Sequence, residues 1–236
     1  METDQNKSEI VFEIKQLNFG YGSKNILNNF SFACRKGCVH GILGDNGAGK
    51  TTFFNLLYGT LRAKDASLDT IDRHQIAFLE TDTHVYPYMT GMEYLELING
   101  KKEDLVAQWN EIFELPLGEY VHNYSTGMKK KLLLFCVLLL NKKVIILDEP
   151  FNGMDLKTCE VIHYIIQRLK ETSKTIILSS HILETIIKNS DEISYIEGGT
   201  VVKIYTKQEF TELERFVKDK FRTHVESKID DLISGD

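Results

Sequence analysis

The stretch VHGILGDNGAGKTTFFNLLY, residues 39–58, decides the fold. Its first part, Val39 to Leu43, is apolar but for His40, the pattern of a strand buried on both faces of a parallel sheet. Its last part, Thr51 to Tyr58, sets Phe53, Phe54, Leu56 and Leu57 on one face of a helix that Gly59 stops. Between the two, Gly44-Asp45-Asn46-Gly47-Ala48-Gly49-Lys50-Thr51 fits GxxxxGK[ST] at every fixed position. A glycine-rich turn in that setting lets successive backbone N–H groups face inward around phosphates, and the helix N-terminus adds its positive end. Lys50 is placed to reach the β and γ phosphates of a nucleotide, and the Thr51 hydroxyl to complete a Mg2+ shell.

Outward from this stretch, Val144 to Leu147 and Thr175 to Leu178 read as further buried parallel strands, while Ile10 to Ile14 and Phe30 to Cys34 alternate like half-exposed ones. Asp155 to Leu169 reads as a helix with apolar positions at 156, 159, 162, 165, 166 and 169. Short apolar strands alternating with helices predict an α/β fold, a phosphate-loop NTPase core on a mostly parallel sheet. Residues 83–140 differ, because Gly91 to Asn99, Glu103 to Glu114 and Met128 to Leu140 are all helical in pattern; they form a helical lobe inserted into the core. We read residues 1–206 as a single domain and 207–236 as a C-terminal helical extension. In that extension, helical from Lys207 to Ile233, the stripe Phe210, Leu213, Phe216 and Val217 is expected to pack on the core.

Composition sets the outer bounds. With 42% apolar and 26% charged residues, 16 Gly and 3 Pro among 236, the chain has the make-up of a soluble globular protein and neither a disordered nor a collagenous one. The 28 Lys and Arg against 34 Asp and Glu give a net charge of -6, so the overall field repels nucleic acid and anionic membrane, and no nucleic-acid partner is expected. The longest apolar run, Leu132 to Leu140, is well short of the roughly 18 residues of a membrane-spanning helix. The start METDQNKSEI lacks the features of a secretory signal, so a cytoplasmic location is expected. Cys34 and Cys38 flank Arg35-Lys36-Gly37 with no second pair at zinc spacing, and they read as parts of a tight turn between free thiols.

The second chemical motif is Val144-Ile145-Ile146-Leu147-Asp148-Glu149-Pro150, an apolar strand ending in two carboxylates. Ligands gather at the carboxyl ends of strands in open α/β sheets, so these groups can face the phosphate loop from a neighbouring strand. Asp148 is placed to hold Mg2+ through water, and Glu149 to polarise an attacking water.

Together these motifs resemble the ATP-binding cassette (ABC) ATPases, and the resemblance runs from Phe12 to about Tyr205. Its most discriminating element is Tyr124-Ser125-Thr126-Gly127-Met128, at the head of a helix preceding the 144–147 strand, where the family carries its LSGGQ-type signature. The resemblance implies that Ser125 and Gly127 cap the γ-phosphate of ATP held by an opposite subunit. It implies further that Gly44, Asn46, Gly47, Ala48, Gly49, Lys50, Thr51 and Thr52 surround the phosphates and that Tyr21, in Phe19-Gly20-Tyr21-Gly22, stacks on adenine. Asp155, in Asn152-Gly153-Met154-Asp155, matches the loop that crosses the dimer interface and is also suited to cap the next helix. His181, after Leu178-Ser179-Ser180, matches the histidine that contacts the γ-phosphate. On this basis Glu149, His181 and Lys50 are the catalytic candidates, Thr51 and Asp148 the metal ligands, and ATP with Mg2+ the cofactors.

Three departures from the family pattern stand out. Thr126 and Met128 replace the commonest Gly and Gln of the signature. The strand Ile76 to Leu79 runs into Glu80-Thr81-Asp82, where the family places a Gln, and Thr81 is the nearest positional match. Leu61 to Gln75 is short for the family's antiparallel β-subdomain, which is expected to be small. The resemblance implies an ATP-hydrolysing subunit that dimerises on ATP, as a homodimer or a heterodimer. It drives a separately encoded membrane permease, with export the favoured direction, from the inner face of the cell membrane. The rival readings are a non-transport cassette acting on ribosome or DNA and a nucleotide sensor with little turnover. A single cassette with a short span between Lys50 and Ser125 speaks against the first, and the retained Lys50, Asp148, Glu149 and His181 against the second.

Overall fold

The computed structural model describes residues 9–220 and 222, apart from 83, 101 and 102. Its strands are β1 (Ile10–Tyr21), β2 (Lys24–Arg35), β3 (Val39–Gly44), β4 (Ile76–Leu79), β5 (Val144–Leu147), β6 (Thr175–Ser180), β7 (Glu192–Glu197) and β8 (Thr200–Thr206). The helices are α1 (Lys50–Tyr58), α2 (Ala66–Asp69), α3 (Gly91–Asn99), α4 (Glu103–Phe113), α5 (Thr126–Leu139), α6 (Leu156–Glu171) and α7 (Leu183–Asn189), followed by α8 over 210–220.

Six strands form one sheet in the order β4-β5-β6-β3-β7-β8. All neighbours pair parallel except β7 with β8, which is the antiparallel hairpin turned by Gly198 and Gly199. Strands β3, β5 and β6 are wholly buried, as expected of largely apolar strands in the middle of a parallel sheet. Strands β1 and β2 form a separate antiparallel ribbon. No strand lies between Leu61 and Gln75, so the small antiparallel subdomain consists of this ribbon alone among the described residues.

Apolar side chains fill three regions. Phe30, Phe53 and Phe54 join the ribbon to α1 and one face of the sheet, with Phe30 and Phe53 ring centroids 4.5 Å apart. On the other face, α3, α5 and α6 pack with Phe113 and Phe135 stacked at 5.0 Å. The lobe of α3 to α5 is inserted between β4 and β5, yet those strands pair directly, with Ile76 opposite Val144. Under α7 and α8, Phe210, Leu213 and Val217 meet Leu43, Ile186 and Ile193. The predicted stripe of the tail is therefore occupied by this chain's own core, except that Phe216 stays partly exposed against Tyr195. The part of the tail read as helical beyond residue 222 lies outside the described residues.

One core assignment is corrected. Leu156, expected on the apolar stripe of α6, is 80% exposed. At 3.6 residues per turn it lies roughly 120° around the helix from Ile162, at the edge of the stripe, and it occupies the first helical position. No helix among the described residues is long and apolar enough to cross a membrane.

Candidate nucleotide site

The parallel order places the carboxyl ends of β3, β5 and β6 side by side, and Gly44 to Thr52, Asp148, Glu149 and His181 stand at or just beyond them. The loop after β3 turns through Gly47 at φ 82° and Gly49 at φ 102°, a region that side chains bearing a Cβ rarely adopt. Gly49 also has no room for one, since a Cβ would sit 2.7 Å from Leu27 Cδ2. Lys50 is buried, and its Nζ donates to the loop's own carbonyls, Gly44 O at 2.6 Å and Asp45 O at 3.2 Å. The ammonium is thus held against the loop by the two carbonyls at its start.

Opposite the loop, Asp148 is wholly buried and fully engaged. It accepts from Thr51 Oγ1 at 2.6 Å and from Ser179 Oγ at 2.5 Å, and its backbone N–H donates to Leu79 O. Thr51 and Asp148 together offer hard oxygen donors facing a cavity of about 300 Å3 lined by Asn46, Gly47, Lys50, Thr51, Thr81 and Glu149 among others. Mg2+ is commonly held by one or two protein oxygens with waters and substrate phosphates completing the shell, so this donor pair fits it. Thr81, the residue standing where the family has Gln, approaches Asp148 O at 3.5 Å. Glu80 is half-buried and Asp82 exposed beside it.

Glu149 is held at all of its polar groups. Its N–H donates to Ser179 Oγ at 2.9 Å, and its carbonyl accepts from Lys130 Nζ. Its Oε2 accepts from His181 Nδ1 at 2.8 Å and from the His181 N–H at 3.3 Å. The residue has φ 51°, a left-handed backbone that costs a non-glycine residue about 1–2 kcal/mol and persists only where its surroundings fix it. His181 is joined to Glu149 because Leu147 of β5 registers against Leu178 of β6, bringing the two strand exits together.

Ser179 was not among the candidates, although its position at the carboxyl end of a buried strand is the available signal. Ser179→Ala would leave a buried acceptor of Asp148 and the Glu149 N–H unpaired, an expected stability loss of about 1–3 kcal/mol in urea unfolding. Ser180→Ala is the control, because that hydroxyl bonds only the backbone of Ile182; equal losses in the two variants would contradict the assignment.

The remaining candidates lie away from this cavity. Tyr21, at the end of β1, is half exposed, its ring edge-on to Phe19 at 5.3 Å, and it pairs across the ribbon with Lys24, which lines the cavity. Ser125 is exposed and caps α5 by accepting from Met128 N–H at 3.2 Å. Neither Ser125 nor Gly127 lines the phosphate cavity of its own chain. A Cβ on Gly127 would meet only Gly153 O at 3.7 Å and Ser125 Oγ at 4.0 Å, so nothing within the chain requires glycine there. Asp155 caps α6, accepting from Thr158 N–H at 2.8 Å and Oγ1 at 3.0 Å, and the backbone bond above all keeps its carboxyl below the ordinary aspartate value. A second cleft, of about 340 Å3, opens at the amino ends of the strands near Lys36 and Lys143, the end of an open α/β sheet where ligands do not gather.

Comparison with known proteins accords with this arrangement. Residues 27–152 match the family model described as ABC transporter. An uncharacterized ABC transporter ATP-binding protein of Methanocaldococcus jannaschii is 30% identical over 199 residues, spanning 80% of this chain and 75% of that protein. The lantibiotic transport ATP-binding protein SrtF of Streptococcus pyogenes is 28% identical over 206 residues, spanning 81% and 89% of the two chains. A solved structure of the ATP-binding subunit of an ABC transporter superposes with a TM-score of 0.75 at 27% identity, covering 84% of this chain and 90% of its own.

Proposed function

Since the chain belongs to the ABC transporter family and is one of its ATPases, we propose that it is the motor subunit of a transporter, working as one of two face-to-face cassettes on a separately encoded membrane permease. The observation that carries this reading is that one chain holds two half-sites. Lys50, Thr51, Asp148 and Glu149 line one cavity, while Ser125, which is exposed, and the partly exposed Gly127 stand outside it. A helix N-terminus capped by Ser and bare of a Cβ at Gly127 suits a phosphate arriving on another polypeptide. Leu156, exposed beside Asp155 and the 152–154 turn, supplies apolar surface for the same contact.

In this reading Tyr21 offers its ring face to adenine, and the backbone from Gly44 to Thr52 cradles the phosphates. Lys50 exchanges its two loop carbonyls for phosphate oxygens. Thr51 and Asp148 would hold Mg2+, which would supply neutralisation of the phosphate charge. Glu149 accepts a proton from the attacking water, and His181 orients that carboxylate through Nδ1 and its N–H.

The permease contact falls to the inserted lobe. Tyr86, Tyr88 and Tyr120 are exposed there, with His122 stacked on Tyr120 at 5.7 Å and edge-on to Tyr88 at 6.0 Å. An aromatic patch of this kind is the usual mark of a protein interface. Through that contact the chain sits at the cytoplasmic face of the membrane. The similarity to a lantibiotic transport protein favours export.

Phosphate release from the purified chain tests the proposal. Turnover per chain is expected to rise with protein concentration and to fall by about 100-fold or more when EDTA removes Mg2+. Turnover independent of concentration, or unchanged by EDTA, would overturn it.

A further inference from the structure

Of the lysine run Lys129-Lys130-Lys131, the middle member, which donates to the Glu149 carbonyl, is a buried cation with no role yet in the chemistry. Lys130 is only 3% exposed, at the start of the second turn of α5, and its Nζ donates to two backbone carbonyls beyond β5: Glu149 O at 2.5 Å and Asn152 O at 3.3 Å. Its charge also interacts with the carboxylates of Glu149, Asp148 and Asp82. Burial lowers the ammonium's pKa below the ordinary lysine value, and those carboxylates oppose the shift. A buried cation whose hydrogen bonds go mainly to carbonyls is a costly choice for stability alone, because an apolar residue of similar length often serves as well or better.

What the cation secures is a particular backbone. Glu149 is the left-handed residue of the site, and Lys130 binds the carbonyl that this conformation turns toward α5. Asn152, the other carbonyl partner, begins the 152–155 turn that leads into α6. Lys130 lies five residues after Ser125 on the same continuous helix, so the head of α5 and the backbone of Glu149 are joined by one rigid segment and one side chain.

Resting on the reading of Glu149 and Ser125 above, we infer that Lys130 is a positioning residue for hydrolysis. Its ammonium fixes the backbone from which the Glu149 carboxylate projects, and it ties that carboxylate to the helix whose N-terminus meets the nucleotide of the opposite chain. Engagement of Ser125 in one site is thereby communicated to the catalytic carboxylate of the other.

Lys130→Met, which keeps the length and removes the donors, tests this beside Lys130→Arg, which keeps charge and donors. For Lys130→Met, kcat is expected to fall at least about tenfold, with KM for ATP and affinity for a fluorescent ATP analogue within about threefold of wild type. Its melting temperature should fall by no more than about 8 °C, because the Glu149 carbonyl keeps the Asn152 N–H as a donor once the ammonium is gone. Lys130→Arg should regain at least about a third of the wild-type kcat. A Lys130→Met chain with kcat within threefold of wild type overturns the inference while leaving the ATPase reading intact. So does a kcat loss matched by an equal loss of ATP-analogue binding or of folding, or one that arginine does not repair. A wild-type chain without turnover would overturn both.

Discussion

Glu149→Gln is expected to lower ATP turnover by about 100-fold to 10,000-fold, the usual range for removing a positioned general base, while ATP binding is kept. The substitution is isosteric and leaves the backbone bonds from Glu149 to Ser179 and Lys130 in place. Its amide oxygen can still accept from the His181 N–H and Nδ1, so the loop geometry around φ 51° survives. What disappears is the negative charge that takes the proton from water. A cassette that closes on ATP and cannot reopen by hydrolysis should accumulate as a dimer, because the γ-phosphate contacts that bridge the two chains persist. Light scattering in MgATP, read against the 27.1 kDa of one chain, is expected to report twice that mass for the variant and a mixture for wild type. A variant that turns over ATP at the wild-type rate would remove Glu149 from the chemistry.

The second large effect is at the phosphate loop. Lys50→Ala removes the buried ammonium that the loop encloses, together with its bonds to Gly44 O and Asp45 O. A charged donor aimed at transferring phosphate in a low-dielectric cavity is worth about 100-fold to 1,000-fold in turnover. Unlike Glu149→Gln, this change is also expected to weaken binding, because in the proposed reading Lys50 contacts phosphates in the ground state. Phosphate release and titration with a fluorescent ATP analogue should therefore move together for Lys50→Ala and separately for Glu149→Gln. Parallel behaviour of the two variants would contradict the division of roles.

Much of this was legible in residues 39–58 and 144–150, because local pattern and chemistry agree there. A buried strand must end, the glycines can only serve a turn, and the carboxylates follow another buried strand. The inserted lobe was legible for the same reason: α3 spans Gly91–Asn99 as its periodicity predicts, and the start of α5 moves to Thr126 because Ser125 caps it. What lay beyond the sequence reading was what depends on register. The bond between His181 and Glu149 follows from the parallel pairing of β5 with β6, which no local pattern states. Lys130 stands in a run of three lysines, 129–131, in which no local pattern marks the buried one. Its inward direction follows only from Leu134, one turn on and 2% exposed. The β7–β8 hairpin was signalled by Gly198-Gly199, both at positive φ, but its short alternating flanks went unread. Leu156 was misplaced because a stripe drawn from spacing alone extends to the helix end, whether or not the core does.

The claim on which the account rests is that each ATP is gripped by the phosphate loop of one chain and by Ser125 and Gly127 of another. Mixing two inactive variants measures this directly. Lys50→Ala destroys the phosphate loop, and Gly127→Glu places a carboxylate where the γ-phosphate must approach. In a mixed pair one site combines the intact loop of the Gly127→Glu chain with the intact signature segment of the Lys50→Ala chain. Phosphate release from the mixture is expected to rise well above the sum of the separate variants, toward about a quarter of the wild-type rate per chain if pairing is random and each site works independently. A mixture no more active than its components, or a Gly127→Glu chain as active as wild type, would contradict the shared site.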